Sequence, residues 1–130
     1  MVRSRLDDGT KHMTILDNIE SLFVDVDGTL VFWEGKPGRV FRGVPREDLH
    51  KHCRVNEELV EALKRWSNED NFLVVWTTGG KAHADWAVKL TGLEGFVNMV
   101  CGKPHALIDD GTTHWDRHLR IFDQHLEEVR

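Results

Sequence analysis

Four short apolar runs punctuate the chain, and each stops abruptly at polar or turn-forming residues. SLFVDV, from Ser21, is rich in β-formers and leads into Asp27-Gly28-Thr29, the pattern of a buried strand entering a turn. FLVVW, from Phe72, is a continuous run of strand length that ends at Thr77-Thr78-Gly79-Gly80. FVNMVC, from Phe96, predicts a third strand stopping at Gly102-Lys103-Pro104, and ALI at 106–108 a very short fourth stopping at Asp109-Asp110-Gly111. Elsewhere the spacing turns helical. Leu59, Ala62, Leu63 and Trp66 form one stripe, Asn56 can cap free N–H groups, and Glu57 and Glu58 favour a positive helix end, which predicts a helix over 57–67. Ala82, Trp86 and Leu90 recur every fourth residue with Ala87 alongside, ahead of Gly92, which predicts a helix over 80–91. Leu119, Phe122, Leu126 and Val129 share a helical face, so a terminal helix is expected from position 116. VFW at 31–33 and RVF at 39–41 flank a turn containing Gly35, Pro37 and Gly38, predicting a hairpin flap within 31–50. Residues 1–13 have mixed charge and no period, and read as an extension ahead of a single domain over 14–130.

Strands alternating with helices predict an α/β fold with a mainly parallel sheet flanked by helices. In such sheets ligands bind outside the carboxyl ends of the strands. Each apolar run is followed there by reactive polar residues: Asp25 and Asp27, Thr77 and Thr78, Lys103, and Asp109 and Asp110. In parallel strands all four groups converge on one edge.

Composition narrows the function classes. With 17 Lys+Arg against 22 Asp+Glu, the net charge of -5 repels long polyanions, so a nucleic-acid contact needs a local basic patch. No apolar run approaches the roughly 20 residues that cross a bilayer, and the polar start lacks a secretory apolar region, so a soluble, cytoplasmic protein with no membrane partner is expected. Cys53 and Cys101 read as free thiols.

Asp25 and Asp27, two apart at a strand end, are expected to project to the same side. With Asp110 they supply three oxygen ligands for a hard cation. Mg²⁺ suits such a set because it also accepts waters and phosphate oxygens. Lys103 and the Thr77 hydroxyl add what a phosphoryl group needs and a bare metal site does not, with Lys81 as the rival lysine. Two His/Cys clusters carry partial zinc spacing: His50, His52 and Cys53, and Cys101, His105, His114 and His118.

Asp25-Val26-Asp27-Gly28-Thr29-Leu30 after an apolar strand resembles the first motif of the haloacid dehalogenase superfamily. Thr77 after FLVVW resembles its second motif, Lys103-Pro104 its third, and Leu107-Ile108-Asp109-Asp110 its fourth, in the right order. The resemblance implies a Rossmann-like fold, Mg²⁺ and a covalent aspartyl-phosphate. Asp25 would attack phosphorus, and Asp27 would protonate the leaving oxygen and then activate water, with its backbone carbonyl facing the metal. Thr77 would hold a phosphate oxygen and Lys103 would offset charge. Asp110 would ligate Mg²⁺ with Asp109 supporting it, and Asp116 is the substitute if ALI is not a strand. Gly28 and Thr78 join Thr77 and Lys103 as expected substrate contacts.

Asp at position 27 favours a phosphatase over ion pumps or phosphonate-cleaving members. Only 25 residues separate Thr77 from Lys103, and 26 separate Leu30 from Glu57, so no cap domain fits at either place. The chain therefore resembles the capless phosphatases, which take large substrates or borrow a neighbouring subunit as cap in a homo-oligomer. Lys36, Arg39, Arg42 and Arg46, with Phe32 and Trp33, could hold phosphates and stack on a base, so a nucleotide or nucleic-acid phosphate end is the expected substrate. The alternatives are a non-catalytic binding module on the same fold and a zinc-stabilised interaction domain.

Overall fold

In the computed structural model, residues 15–35, 43–111, 117–122 and 125–129 are described. Along the chain run β1 (Ser21–Asp25), β2 (Val31–Trp33), a 3₁₀ helix (Arg46–His52), β3 (Cys53–Val55), α1 (Glu57–Trp66), β4 (Phe72–Thr77), α2 (Lys81–Thr91), β5 (Met99–Gly102), β6 (Leu119–Phe122) and β7 (His125–Glu128). β1, β4 and β5 form a parallel sheet in the order β1-β4-β5. The expected α/β class with a parallel sheet is what the chain adopts. The register places Asp25 beside Trp76 and Thr77 beside Gly102, so the carboxyl ends of all three strands lie level.

Each crossover moves one strand in the same direction, and right-handed βαβ connections then put both helices on one face of the sheet. Val24, Leu73 and Val75 on that face share a buried core with Leu59, Leu63 and Trp66 of α1 and Ala84, Ala87 and Val88 of α2. The opposite face carries Phe23, Phe72 and Met99, each more than 40 % exposed. Among the described residues the helices therefore flank the sheet on one face.

α1 starts at the anticipated cap. Asn56 Oδ1 accepts from the Leu59 N–H at 3.3 Å, and its amide donates to the Thr29 carbonyl at 3.0 Å, which ties the helix start to the loop after β1. At the other end Trp66 Nε1 donates to the Ile19 carbonyl at 2.9 Å, just ahead of β1. α2 forms where expected, but its buried residues are His83, Ala84, Ala87, Val88 and Thr91. Ala82 is exposed, and Trp86 and Leu90 are half-buried. Small residues let the helix backbone lie close to β4 and β5, and that requirement outweighs the larger Trp86 and Leu90 in choosing the inward face.

Four expectations are corrected. ALI forms no strand: Leu107 is 70 % and Ile108 98 % exposed, because three residues after Pro104 find no strand to pair with. The terminal helix is a hairpin instead, β6 pairing antiparallel with β7 and Ile121 opposite Leu126. The segment also satisfies a period of two, which sends Leu119, Ile121 and Leu126 to the core while Phe122 stays 59 % exposed. Arg120 pairs with Glu127 at 2.8 Å across it and Arg117 with Glu128 at 2.9 Å. VFW pairs with β3, at Cys53–Val55, and RVF lies outside the described residues. Finally β5 begins at Met99, since Phe96 closes a turn by donating its N–H to the Leu93 carbonyl.

The extension 1–13, the flap cations Lys36, Arg39 and Arg42, and His114 and Asp116 also lie outside the described residues. Both cysteines are free thiols. No helix among the described residues is long and apolar enough to cross a membrane.

Candidate active site at the carboxyl edge of the sheet

Asp25 closes β1, Thr77 closes β4 and Lys103 directly follows β5, so the level strand ends bring three of the expected residues to one edge. Lys103 Nζ lies 3.3 Å from Asp25 Oδ1. Lys81, the rival lysine, is committed elsewhere, pairing with Asp85 at 2.8 Å on the exposed side of α2. The ammonium of Lys103 also sits 5.9 Å from the Trp76 ring centre. Asp25, Trp76 and Lys103 line a groove of about 630 Å³ that runs along β1 to the β6–β7 hairpin.

The backbone does not stay extended between the two aspartates. The Val26 carbonyl accepts from the N–H groups of Thr29, Leu30 and Val31, which wraps a tight turn around buried Val26 and Leu30. Asp25 and Asp27 consequently have separate partners. The Asp27 carboxylate receives Trp33 Nε1–H at 2.9 Å and His83 Nε2 at 2.9 Å on Oδ1, and the Thr77 hydroxyl at 3.4 Å on Oδ2. An ionised carboxylate only accepts, so the proton of this tautomer is on His83 Nε2. Burial alone would raise the Asp27 pKa, but the hydrogen bonds from His83, Trp33 and Thr77 and the attraction of His83 outweigh it and hold the carboxyl below its ordinary range.

His83 is the functional candidate that sequence reading missed. It lies one position after Ala82, the residue assigned to the inward stripe, and only the true inward face of α2 turns its ring toward Asp27. The ring stacks on Trp86 with centroids 5.0 Å apart, and Trp86 stacks on Trp33 at 5.6 Å. Trp33 therefore supports the site from β2 with its indole N–H, rather than presenting a free ring to a base. Phe32, beside it, lies under the Arg54 guanidinium at 4.5 Å.

Other expected contacts are placed differently. The Gly28 N–H donates to the Val31 carbonyl at 2.8 Å, within the turn and not toward a ligand. Thr78 is exposed beside Thr77, whose Oγ1 also accepts the Gly79 N–H at 3.1 Å. Asp109 accepts the Gly111 N–H at 2.8 Å in an Asx-type turn, in the exposed loop left by the missing fourth strand. Among the described residues no three acidic, His or Cys side chains are gathered to hold a metal. Asp110 is thus not assembled with Asp25 and Asp27, and neither His50, His52 and Cys53 nor Cys101, His105 and His118 form a zinc set, while His114 lies outside the described residues. What remains for a cation is the Asp25 carboxylate and the Asp27 carbonyl, which accepts none of this turn's hydrogen bonds. A carboxylate and a carbonyl are oxygen donors of the kind Mg²⁺ accepts alongside waters and phosphate oxygens, and these two would be the residues to hold it.

No family model, no curated protein and no solved structure matches the chain.

Proposed function

We propose that the chain is a capless, Mg²⁺-dependent phosphohydrolase of the haloacid dehalogenase type, cleaving a phosphate monoester through an aspartyl-phosphate on Asp25. The observation that carries this reading is the meeting of Asp25 with Lys103 at 3.3 Å across the end of β4, where Thr77 stands. A carboxylate nucleophile, a cation and a hydroxyl at one strand edge are the groups that phosphoryl transfer to a side chain requires.

An Asp25 oxygen bonds to phosphorus as the bond from phosphorus to the leaving oxygen breaks, and Asp27, entering this step in its minor protonated form, gives that oxygen a proton and is left as the carboxylate. Water then attacks the phosphoryl group, Asp27 takes back one proton, and the bond to Asp25 breaks to regenerate its carboxylate. Lys103 offsets negative charge on nucleophile and phosphoryl group, and the Thr77 hydroxyl, which donates to Asp27 Oδ2 in the unliganded site, turns to a phosphoryl oxygen when substrate binds. The hydrogen bonds that keep Asp27 ionised favour its proton-accepting step. Mg²⁺, held by Asp25 and the Asp27 carbonyl, would neutralise phosphoryl charge.

For the substrate we propose a nucleotide or nucleic-acid phosphate end. Arg46, Glu47, His50, Trp86, Lys89 and Leu90 line an open groove of about 550 Å³, where Arg46 and Lys89, with the one carboxylate of Glu47 among them, stand beside an aromatic surface. The test is phosphate release from nucleotides, oligonucleotide ends, sugar phosphates and p-nitrophenyl phosphate, with Mg²⁺ and with EDTA. Hydrolysis that needs Mg²⁺ and falls at least about 10³-fold in Asp25→Asn is expected. Full activity in Asp25→Asn overturns the assigned nucleophile.

A further inference from the structure

We propose that His83 is a positioning residue for Asp27, and that with Trp33 it reserves Oδ2 of that carboxylate as the oxygen that exchanges protons with leaving group and water. The inference rests on the hydrolase reading above and deepens it.

Three elements converge on one carboxylate: Trp33 from β2, Thr77 from the end of β4 and His83 from α2. Their distribution over its oxygens is uneven. Each carboxylate oxygen has about two acceptor sites. Oδ1 receives two N–H groups at 2.9 Å, which fill it. Among the described residues Oδ2 receives the Thr77 hydroxyl alone, at 3.4 Å, which leaves its second acceptor site for a leaving group or water. A carboxyl torsion is intrinsically broad and two-fold, so without these donors the two oxygens exchange places. Charge-assisted N–H bonds are short and directional enough to prevent that.

The donors are themselves held. His83 is only 7 % exposed, and it and Trp33 both stack on Trp86. Gly79 adds to the fit: a Cβ there would stand 3.1 Å from the His83 ring, so a larger residue would press the imidazole by a few tenths of an ångström. Asp25, by contrast, meets only the flexible Lys103 among the described residues. The acid–base group is oriented from three sides and the nucleophile is left to move onto phosphorus.

The test compares His83→Leu, His83→Gln and Trp33→Phe with the wild type, after circular dichroism melts establish that each is folded. The readout is kcat/KM on an alkyl monophosphate, whose leaving group needs a proton, relative to p-nitrophenyl phosphate, whose leaving group does not. A purely structural role lowers both together. We expect the alkyl-to-aryl ratio to fall about 30-fold in His83→Leu and by a smaller factor in Trp33→Phe, part of the 10²–10⁴-fold that acid–base catalysis supplies. In His83→Gln, whose amide keeps an N–H at the same reach, the ratio should return to within about threefold of the wild type. Parallel losses on both esters, or an unchanged ratio in His83→Leu, overturn this inference alone. A wild-type protein inactive on both esters with Mg²⁺ overturns the hydrolase reading and this inference with it.

Discussion

Asp25 and Asp27 stand two positions apart and have unlike surroundings: one faces a groove and a lysine, the other is enclosed by an indole, an imidazole and a hydroxyl. The second environment has a consequence for stability. A carboxyl whose folded pKa is depressed contributes stability that is fully present above its unfolded value, about 4, and that disappears as pH falls through the folded value. Urea melts at decreasing pH should therefore show the wild type losing stability below about pH 4 more steeply than Asp27→Asn, whose amide does not titrate there. Cys53 reports the same charge from the other side of the turn. Burial, and then the negative charges of Asp27 and Glu34, push its thiol pKa up, which depletes the reactive thiolate. Iodoacetamide at pH 8 should label Cys53 more slowly than a cysteine in a short peptide, and Asp27→Asn should speed the labelling. At this scale Asp25, Thr77 and Lys103 were legible, because each directly follows or ends an apolar run. His83 was not, since an imidazole on a helix gives no sign of its face until the helix is docked.

The elements show where apolar spacing decides and where it does not. β1, α1, β4 and α2 were legible because one period fits each, with Asn56 and Gly92 marking helix ends. The segment from Leu119 fits two periods, and the hairpin prevails because it buries Leu126 and pairs Arg120 with Glu127 across the strands. A helix would have buried Phe122. Leu126→Ala should therefore cost about 2–3 kcal/mol in chemical unfolding. Phe122→Ala should stay within about 0.5 kcal/mol, and equal losses would favour the helix. ALI failed as a strand for a related reason. Three residues have too little ladder to hold an edge without a partner, so the acidic pair behind them was not carried to the site.

Over the whole molecule, a one-directional strand order explains both the site and the bare face. The same two crossovers that line up Asp25, Thr77 and Lys103 put both helices on one side, leaving Phe23, Phe72 and Met99 exposed on the other. The α/β class could be read from alternation alone, but the helix side could not, because it depends on strand order. Metal dependence also belongs to this scale, since the expected third carboxylate, Asp110, is not gathered with the other two. If the proposed Mg²⁺ takes only Asp25 and a main-chain carbonyl from the protein, it should bind weakly. Activity should then saturate at millimolar rather than micromolar Mg²⁺ and return fully when the metal is added back after EDTA, as a titration of phosphate release would show.

The stacked rings of Trp33 and Trp86 carry their own signal. Indoles 5.6 Å apart and inclined by 18° are close enough to share electronic excitation. The protein thus contains an intrinsic optical reporter at the Asp27 turn: the ellipticity of this pair would fade whenever β2 lifts from α2.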